Sequence, residues 1–394
     1  MFPKTAVILA GGLGSRVKKY LKNKPKPLLK VEKKFFLEIL VGKLVKYNFN
    51  KILILVGYRG HEIAKLFHNK YFNFTKIECI KENKLLGTAG ALYSLKKKIK
   101  SNFILVNGDT YFDIDYTKIK FKKKNPLIKI VLTKKLDNKN LKLNNISVKN
   151  NLIFIKQNSN FMNGGIYLIK KKFLRSIKNT KSSLETDFIP DLIKMKLVEG
   201  EYFKDFFYDI GTPKNFIRAS SVFKSNLTKP AVFFDRDGVI NHDKRGYTFK
   251  IKDFRLRKNV YKAINFLNKK GYHIFIITNQ SGIAKGFYNI NDFFKLHIFI
   301  KKKLIKNSCF INDVKFCPHH PKGKIKNFKK ICECRKPKNL LFKQLLSSNF
   351  INLKKSFMIG DSFSDFLMAK KSNLYFEYSS KDIFNQIKNI IKNN

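Results

Sequence analysis

The chain has 394 residues, 44% of them hydrophobic and 14% aromatic, which exceeds one ordinary core and predicts about two α/β domains. Its 82 Lys and Arg residues against 27 Asp and Glu residues give a formal net charge of +55. Because the lysines are spread through both halves, the charge argues against nucleic-acid binding as the main function and favours anionic, phosphate-bearing ligands.

The sequence shows no targeting pattern. The apolar run 5–10 is too short for a signal sequence or a membrane span, and no other run approaches about 18 apolar residues. Three of the five cysteines lie near a His-His pair, which indicates metal binding rather than disulfides. We therefore expect a cytoplasmic protein with no membrane partner.

Short apolar runs alternate with amphipathic segments along the chain. The runs predict buried parallel strands at 5–10, 52–56, 103–106, 232–234, 274–277 and 356–359. The amphipathic segments predict helices at 36–47, 261–270 and 340–346. This alternation is typical of an α/β fold with two doubly wound domains, in which ligands bind beyond the carboxyl ends of the strands.

A domain boundary is predicted where the segment 225–230 breaks this pattern before a new strand begins. The predicted domains are 1–226 and 229–394. The Lys- and Asn-rich segment 138–151 predicts a loosely paired hairpin or a surface loop.

The first strand runs into Gly11-Gly12-Leu13-Gly14-Ser15-Arg16. Glycines let the backbone approach a phosphate closely, and Arg16 adds a fixed cationic fork. Alone, this pattern could equally be a tight turn. Further along the chain, Lys26 lies in a Pro-rich rigid segment, Leu86-Gly87-Thr88 opens a predicted helix, and two candidate Mg²⁺ ligands, Asp109 and Asp209, follow strands.

This ordered set, over residues 3–224, resembles the sugar-1-phosphate nucleotidyltransferases, particularly their mannose- and heptose-phosphate guanylyltransferase-like branch. The resemblance implies a Rossmann-like nucleotide-diphospho-sugar transferase fold and a reaction that joins a sugar 1-phosphate to an NTP and releases pyrophosphate. It implies nucleotide contacts from Gly11, Gly12, Gly14, Arg16, Lys26, Gly87 and Thr88, with Arg16 and Lys26 acting in catalysis. It also implies Mg²⁺ ligands at Asp109 and Asp209, and sugar contacts at Asn163, Gly165 and Glu185.

Two positions depart from that family, and several of the residues could instead have a purely structural role. Ser15 replaces a usual Thr, and Gly164 stands where a small residue such as Ala is common, which leaves the sugar open. The glycines at 164 and 165 could mark only a strand kink. Glu185 could be a carboxylate in the first turn of a helix, and Asp109 could be a turn residue.

In the second half, a buried strand ends in Asp235-Arg236-Asp237. Two carboxylates two residues apart point to the same side of a strand, a costly arrangement unless a metal or a mechanism requires it. We expect Asp235 to attack phosphorus, and Asp237 to protonate the leaving hydroxyl and later activate water. Mg²⁺ would screen Asp235 from the phosphate dianion.

Later strand ends supply the remaining groups. Thr278 and Asn279 can hold phosphate oxygens, Arg335 and Lys336 offer cations, and Asp361 completes a Mg²⁺ site. Asp365, one helical turn after Asp361, could be a ligand or a helix-supporting carboxylate.

Residues 230–380 resemble the haloacid dehalogenase superfamily of phosphatases, most closely the D-glycero-D-manno-heptose 1,7-bisphosphate phosphatases. The resemblance implies a HAD-like fold. It gives catalytic roles to Asp235 and Asp237, phosphate binding to Thr278, Asn279, Arg335 and Lys336, and Mg²⁺ binding to Asp235, Asp237 and Asp361.

A Cys-x-His pair, twelve residues, and a Cys-x-Cys pair form a closed set for structural zinc: Cys317, His319, Cys332 and Cys334. The resemblance, not the spacing, selects His319 over His320. Unligated core cysteines are the alternative here and the expectation for Cys79 and Cys309.

Together the halves indicate consecutive steps. A heptose 1,7-bisphosphate loses its 7-phosphate, and the heptose 1-phosphate then receives a nucleotidyl group, with GTP favoured by the resemblance, for surface glycan assembly. The alternatives are the same activities on a mannose-type sugar or histidinol phosphate, one half that is only regulatory, or nucleic-acid binding through the charge. The anomer, the oligomeric state and any transfer between sites stay open.

Overall fold

The structure is a computed structural model that describes residues 2–21, 23–47, 49–82, 84–134, 146–156, 159–243 and 246–393. Its contacts divide the chain into two compact units, Met1–Val222 and Phe223–Asn394. The domain limits expected from the sequence, 1–226 and 229–394, remain a prediction. Residues 138–145 of the predicted surface segment lie outside the described residues, and 146–155 form a hairpin.

Among the described residues, the strands of the N-terminal unit form one large sheet and two short ribbons. They are β1 Thr5–Leu9, β2 Lys30–Val31, β3 Lys34–Phe35, β4 Lys51–Val56, β5 Tyr71–Phe72, β6 Thr75–Lys81, β7 Phe103–Asn107, β8 Thr110–Phe112, β9 Ile128–Lys134, β10 Ile146–Lys149, β11 Leu152–Ile155, β12 Phe161–Ile169, β13 Val198–Tyr202 and β14 Phe207–Asp209. A ten-stranded sheet has the order β10-β11-β13-β9-β12-β7-β1-β4-β6-β5, and β8 pairs with β14 in a separate ribbon.

The helices that begin in this unit have between 4 and 15 residues. They are α1 Phe36–Val45, α2 Gly60–Phe67, α3 Gly87–Gly90, α4 Ile189–Lys194 and α5 Pro213–Leu227. Tighter turns form 3-10 segments at Ser15–Tyr20, Lys26–Leu28, Ala91–Leu95, Tyr116–Lys118 and Lys171–Arg175, and Leu184–Phe188 is a single π-helical turn.

The centre of the sheet is parallel because its strands are apolar on both faces. Strands β1, β4 and β7 are almost wholly buried, and β1 pairs in parallel with both of the others. Their carboxyl ends therefore meet at one edge, where polar residues follow each strand. On the other side of β7, β12 runs antiparallel and carries a bulge between Asn163 and Ile166. The predicted strand kink at the two glycines is thus present in the structure.

The C-terminal unit has one five-stranded parallel sheet. Its strands are β15 Ala231–Phe234, β16 His273–Asn279, β17 Asp313–Cys317, β18 Phe357–Gly360 and β19 Tyr375–Tyr378. Its helices are α6 Val260–Lys269, α7 Ser281–Ala284, α8 Ile290–Lys306, α9 Leu340–Ser348, α10 Phe363–Lys370 and α11 Ile383–Asn393, with 3-10 turns at Ile251–Asp253, Lys326–Phe328 and Leu353–Lys355. The strand order is β17-β16-β15-β18-β19.

Hydrophobic clusters cover both faces of this sheet, because its central strands are apolar throughout. One cluster joins β15 and β16 to α6, α8 and α11, and another joins the opposite face to α9 and α10. The predicted α/β class is confirmed in both units, and the predicted strands and helices agree with the structure to within a few residues. Among the described residues, we find no helix with the length and apolarity needed to cross a bilayer.

Candidate active sites

The glycine-rich turn after β1 lines a cavity of about 510 Å³. Gly14 adopts a left-handed conformation with φ of 64°, which favours glycine. A Cβ at Gly11 would lie 2.5 Å from Glu82 Oε1 and 3.2 Å from the Gly57 amide nitrogen, so a side chain there would displace the Glu82 carboxylate and crowd the main chain at Gly57. The predicted nucleotide residues all line this cavity: Gly11, Gly12, Gly14, Arg16, Lys26, Gly87 and Thr88.

A second cavity, of about 620 Å³, lies beside the first and shares part of its wall. The predicted sugar residues Asn163, Gly165 and Glu185 line it, together with Asp209. The shared wall consists of residues that belong to both cavities: Arg16, Gly87, Thr88, Asn107 and Asp109. A substrate in one cavity can therefore meet a substrate in the other at this wall.

Two carboxylates and a buried lysine mark the junction of the cavities. Lys26 Nζ lies 2.6 Å from Asp109 Oδ2, and the Gly211 amide donates to Asp209 Oδ1 at 2.6 Å. Burial would raise the pKa of Asp109, but Lys26, the Thr110 hydroxyl and Arg16 together outweigh burial and lower it. Burial, and then the Asp109 carboxylate, raise the pKa of Asp209 to about 6. A pair of crowded acidic groups of this kind fits a divalent cation.

Glu185 is held by hydroxyl groups on the sugar side. Thr88 Oγ1 donates to Glu185 Oε2 at 2.6 Å, and Ser183 Oγ donates to the same oxygen at 3.1 Å. Tyr167 donates its phenol proton to Glu185 Oε1 at 3.1 Å, and Asn163 Nδ2 donates to that phenol oxygen at 2.6 Å. The Glu185 carboxylate therefore accepts hydrogen bonds from specific side chains, in addition to lying in the first turn of a helical segment.

In the C-terminal unit, Asp235 follows β15 and is paired with a buried lysine. Lys336 Nζ lies 2.7 Å from Asp235 Oδ1 and 2.5 Å from Asp365 Oδ1, and it donates to the Ile277 carbonyl at 2.9 Å. Burial, assisted by the Asp365 and Asp237 carboxylates and opposed by Lys336, raises the pKa of Asp235 to about 7. The site therefore holds more negative charge than its lysine balances.

The carboxylate of Asp237 lies outside the acidic group that the structure forms. Oxygens of Asp235, Asp361 and Asp365 lie within 4.8 Å of one another, whereas the predicted Mg²⁺ set was Asp235, Asp237 and Asp361. The Arg236 guanidinium binds both oxygens of Asp237, at 2.6 Å and 2.8 Å from Nη2, and turns that carboxylate away.

Of the remaining predicted phosphate-site residues, Thr278 and Asn279 lie at the end of β16, and Arg335 and Lys336 lie in the loop after the cysteine cluster. Asn279 and Lys336 exchange two hydrogen bonds, at 3.0 Å and 3.2 Å, which fixes the loop that carries the lysine. Thr278 Oγ1 accepts from Gln280 Nε2 at 2.8 Å, and Gln280 also donates to Asp237 at 3.0 Å. Arg335 lies beside the cysteine loop and donates to the His319 carbonyl at 3.5 Å.

Asp365 acts as a helix cap and as a partner of Lys336. Its Oδ2 accepts from the Ser362 amide and hydroxyl at 3.1 Å and 2.7 Å, forming a capping box at the start of α10. Its Oδ1 belongs to the buried ion pair with Lys336. The structure therefore supports the helix-supporting role and adds an electrostatic one.

The four predicted zinc ligands converge in one cluster: Cys317, His319, Cys332 and Cys334. The sulfur atoms of Cys334 and Cys317 lie 3.1 Å apart, and His319 Nδ1 lies 3.2 Å from the Cys334 sulfur. Three thiols and one imidazole at such spacing fit a tetrahedral metal. His320 instead accepts from the Lys322 amide through Nδ1. Cys309 is buried, as expected, while Cys79 is half-buried.

Sequence reasoning missed several residues that line or support these sites. Glu82, Leu85 and Lys181 line the first cavity, Tyr167 supports Glu185, and Arg236 and Gln280 hold Asp237. Glu82 could have been found, since it follows β6 at the same edge of the sheet. The role of Tyr167 had no sequence signal, because an apolar strand commonly contains tyrosine.

Comparison with known proteins adds family relationships to this geometry. Residues 5–226, more than half of the chain, match the family described as Nucleotidyl transferase, and residues 230–389 match the one described as Polynucleotide kinase 3 phosphatase. The D-glycero-beta-D-manno-heptose-1,7-bisphosphate 7-phosphatase of Rhodopseudomonas palustris is 37% identical over 164 residues, which cover 41% of this chain and 91% of that protein. Its namesake from Helicobacter pylori strain J99 is 40% identical over 141 residues, 36% of this chain and 76% of that protein.

Several solved structures align with more than half of this chain. The crystal structure of HddC from Yersinia pseudotuberculosis is 30% identical and covers 56% of this chain and 99% of that chain, with a TM-score of 0.48.

Proposed function

We propose a two-step function on one premise: the chain belongs to the nucleotidyl transferase family and, through its C-terminal part, to the D-glycero-beta-D-manno-heptose-1,7-bisphosphate 7-phosphatase family. Both resemblances inferred from the motifs are confirmed. The chain is a bifunctional sugar-phosphate nucleotidyltransferase and phosphatase. We assign the transferase to residues 1–226 and the phosphatase to residues 229–394.

The first step removes the 7-phosphate of D-glycero-D-manno-heptose 1,7-bisphosphate. An Asp235 oxygen attacks phosphorus, the bond between phosphorus and the C7 oxygen breaks, and an aspartyl-phosphate forms. Once its carboxylate is released from Arg236 and protonated, Asp237 gives its proton to the leaving oxygen and then takes a proton from the water that attacks the aspartyl-phosphate. Inorganic phosphate leaves, and Asp235 is restored. The phosphate oxygens are bound by four side chains: Lys336, Thr278, Asn279 and Arg335.

The acidic group at Asp235 fits a magnesium ion. Asp235 and Asp361 would hold it, and the turn at Gly238 packs against Asp361, so that the main chain after Asp237 borders the same place. When bound, Mg²⁺ lowers the repulsion between the Asp235 carboxylate and the phosphate dianion. In the structure, the contacts from Arg236 and Gln280 set the direction of the Asp237 carboxylate before substrate binds.

The second step transfers a nucleotidyl group to heptose 1-phosphate. An oxygen of the sugar phosphate attacks the α-phosphorus of the NTP, the bond to the β-phosphate oxygen breaks, and pyrophosphate leaves. Since the attacking oxygen is already anionic, alignment and charge neutralisation by Arg16 and Lys26 supply the catalysis. Asp109 and Asp209 would hold Mg²⁺, which adds neutralising charge at the phosphates.

The nucleotide is proposed to be GTP, and the position of Glu82 supports this choice. A carboxylate can accept two hydrogen bonds side by side, and guanine alone among the common bases presents two adjacent N–H donors, at N1 and N2. Glu82 lines the cavity that also contains the glycine-rich turn. Leu13 and Leu85, two exposed apolar side chains, flank the same cavity and offer surfaces for a base.

The sugar is proposed to bind in the second cavity, where Asn163, Gly165 and Glu185 lie. The zinc ion is proposed to be structural, because Cys317, His319, Cys332 and Cys334 fill all four tetrahedral positions. It would hold the loop from which Arg335 and Lys336 project towards the phosphatase site.

One observation carries the proposal: each unit has its own acidic cluster paired with a buried lysine at the carboxyl ends of parallel strands. Asp235→Asn and Asp109→Asn in the full chain test it. The first variant should lose phosphate release from the bisphosphate and keep pyrophosphate release from heptose 1-phosphate and GTP. The second should show the reverse. Loss of both activities in either variant would refute two independent sites.

A further inference from the structure

Tyr167 is a buried tyrosine behind the sugar-side cavity. Its side chain, on β12, is fully buried within the sheet. The Asn163 amide orientation is fixed, because its Oδ1 accepts from the Gly165 amide at 2.9 Å while its Nδ2 donates to the Tyr167 phenol oxygen. The phenol proton is therefore directed to Glu185 Oε1, 3.1 Å away.

Thr88 holds the other oxygen of the same carboxylate. Its hydroxyl accepts from the Leu184 amide at 2.8 Å and donates to Glu185 Oε2 at 2.6 Å. Because a hydroxyl has only one proton, Thr88 has no donor left for a nucleotide. The two loops are also joined by main-chain bonds, from the Ala89 amide to the Ser182 carbonyl and from the Ser182 amide to the Leu86 carbonyl.

We infer that Tyr167 and Thr88 are positioning residues that fix sugar-phosphate specificity in the transferase by holding the Glu185 carboxylate. The inference rests on the proposed function of that site. A carboxylate has about four lone-pair directions, and Tyr167, Thr88 and Ser183 occupy three of them. Glu185 is thus left with capacity for one donor, a single hydroxyl of the sugar.

This arrangement gives Thr88 a role different from the one implied by family resemblance. The resemblance predicts that its side chain contacts the nucleotide. In the structure, Thr88 lies in the wall shared by both cavities, and its hydroxyl serves the sugar side. Removing that hydroxyl should therefore weaken binding of the sugar phosphate and leave binding of the NTP nearly unchanged.

The test measures pyrophosphate release by the full chain with Mg²⁺, varying the sugar 1-phosphate at saturating GTP and then GTP at saturating sugar 1-phosphate. Tyr167→Phe and Thr88→Val should each raise KM for the sugar phosphate about tenfold, the loss expected for a hydrogen bond to a charged group. KM for GTP should stay within about twofold. Thr88→Ser, which restores the hydroxyl, should recover the wild-type value.

A double-mutant cycle tests whether Tyr167 acts through Glu185. If it does, adding Tyr167→Phe to Glu185→Gln should change KM for the sugar phosphate by less than about threefold. Independent tenfold losses in the double variant would overturn the inference, as would equal rises in both KM values. Tyr47→Phe is the matched control, since Tyr47 is also buried but donates to the Ile114 carbonyl at 3.0 Å.

The substrates are heptose 1-phosphate and mannose 1-phosphate, and the variants are compared on whichever the wild type turns over. The wild-type rate tests the proposed function, while the ratio of variant to wild-type KM tests the positioning role. Thr88 contacts Glu185 from a different loop than Tyr167 does. Thr88→Val therefore still tests the inference if Tyr167→Phe does not fold. Unchanged sugar KM in both variants would contradict it.

Discussion

The ammonium group of Lys336 lies 2.7 Å from the Asp235 carboxylate, and both residues are buried at the proposed phosphatase site. A loop that begins near the cysteine cluster supplies this lysine, and Asn279 fixes that loop through its main chain. Lys336 also neutralises Asp365, which caps α10. One cation therefore joins the proposed nucleophile to the helix that follows Asp361.

The first prediction concerns the removal of that cation. Lys336→Met should lower kcat for phosphate release at least 100-fold, because Asp235 and Asp365 would remain buried without their partner. Lys338→Met is the matched control, since Lys338 forms only an exposed pair with Glu333. Steady-state phosphate release measures both. Equal rates for the two variants would contradict a role for Lys336 in catalysis.

The second prediction concerns the cysteine cluster. Cys334→Ser should reduce the bound zinc by about one equivalent and lower the temperature at which the phosphatase is inactivated, because a structural metal contributes to folding. Cys309→Ser changes a buried cysteine outside the cluster and should leave the zinc content unchanged. Elemental analysis and heat inactivation provide the two readouts. Full zinc content in Cys334→Ser would exclude that residue as a ligand.

The third prediction is a pH dependence of stability. Burial, and then the positive charge of Arg236, hold the pKa of His297 well below its usual value of 6.5. Below about pH 6.5 the unfolded chain gains a proton that the folded chain does not, so stability should fall as pH decreases, by at most about 1.4 kcal/mol per pH unit. In His297→Gln, the part of the stability loss between pH 7.5 and 5.5 that arises from His297 should be absent.

Heat inactivation of phosphate release, assayed at pH 7.5 after incubation at each pH, measures this effect. The midpoint temperature of the wild type should fall further than that of His297→Gln across the interval. The difference between the two proteins removes contributions from other titrating groups. Parallel curves would mean that His297 does not stay neutral in the folded state.

The fourth prediction concerns the choice of nucleotide. ITP lacks the N2 amino group of GTP, so the wild type should prefer GTP over ITP in kcat/KM by about tenfold or more. Glu82→Gln should lower the ratio of kcat/KM for GTP to kcat/KM for ITP, because an amide presents only one acceptor atom. Glu78→Gln changes a glutamate on β6, the strand that precedes Glu82, and should retain the wild-type ratio because Glu78 is paired with Lys76. An unchanged ratio in Glu82→Gln would remove the support for GTP.

Much of this architecture follows from the sequence because strand ends are easy to recognise. Apolar runs predict β1, β7 and β15, and the polar residues after them, such as Asp109 and Asp235, lie where the ends of parallel strands meet. The cluster of three cysteines and one histidine is equally local, since its members come in two close pairs. In these cases, neighbouring positions in the chain determine the geometry.

The residues that sequence reasoning missed depend on packing between distant segments. Tyr167 lies on β12 and Glu185 lies in the turn Leu184–Phe188, and Asn163, which donates to the Tyr167 phenol oxygen, lies on the other side of the β12 bulge. Arg236 lies between two predicted catalytic residues in the sequence. Only the structure shows that its side chain is buried and donates hydrogen bonds to the Asp237 carboxylate. Strand periodicity predicted two carboxylates on the same side, but it could not reveal a cation that holds one of them apart.

The most direct test is to incubate the full chain with D-glycero-D-manno-heptose 1,7-bisphosphate, Mg²⁺ and GTP. Each anomer of the bisphosphate is used separately. Phosphate and pyrophosphate are followed over time. We expect phosphate release first, then GTP-dependent pyrophosphate release and formation of GDP-heptose. Phosphate without pyrophosphate would show that the transferase activates another sugar or uses another nucleotide. Release of neither product would contradict the heptose assignment of both sites.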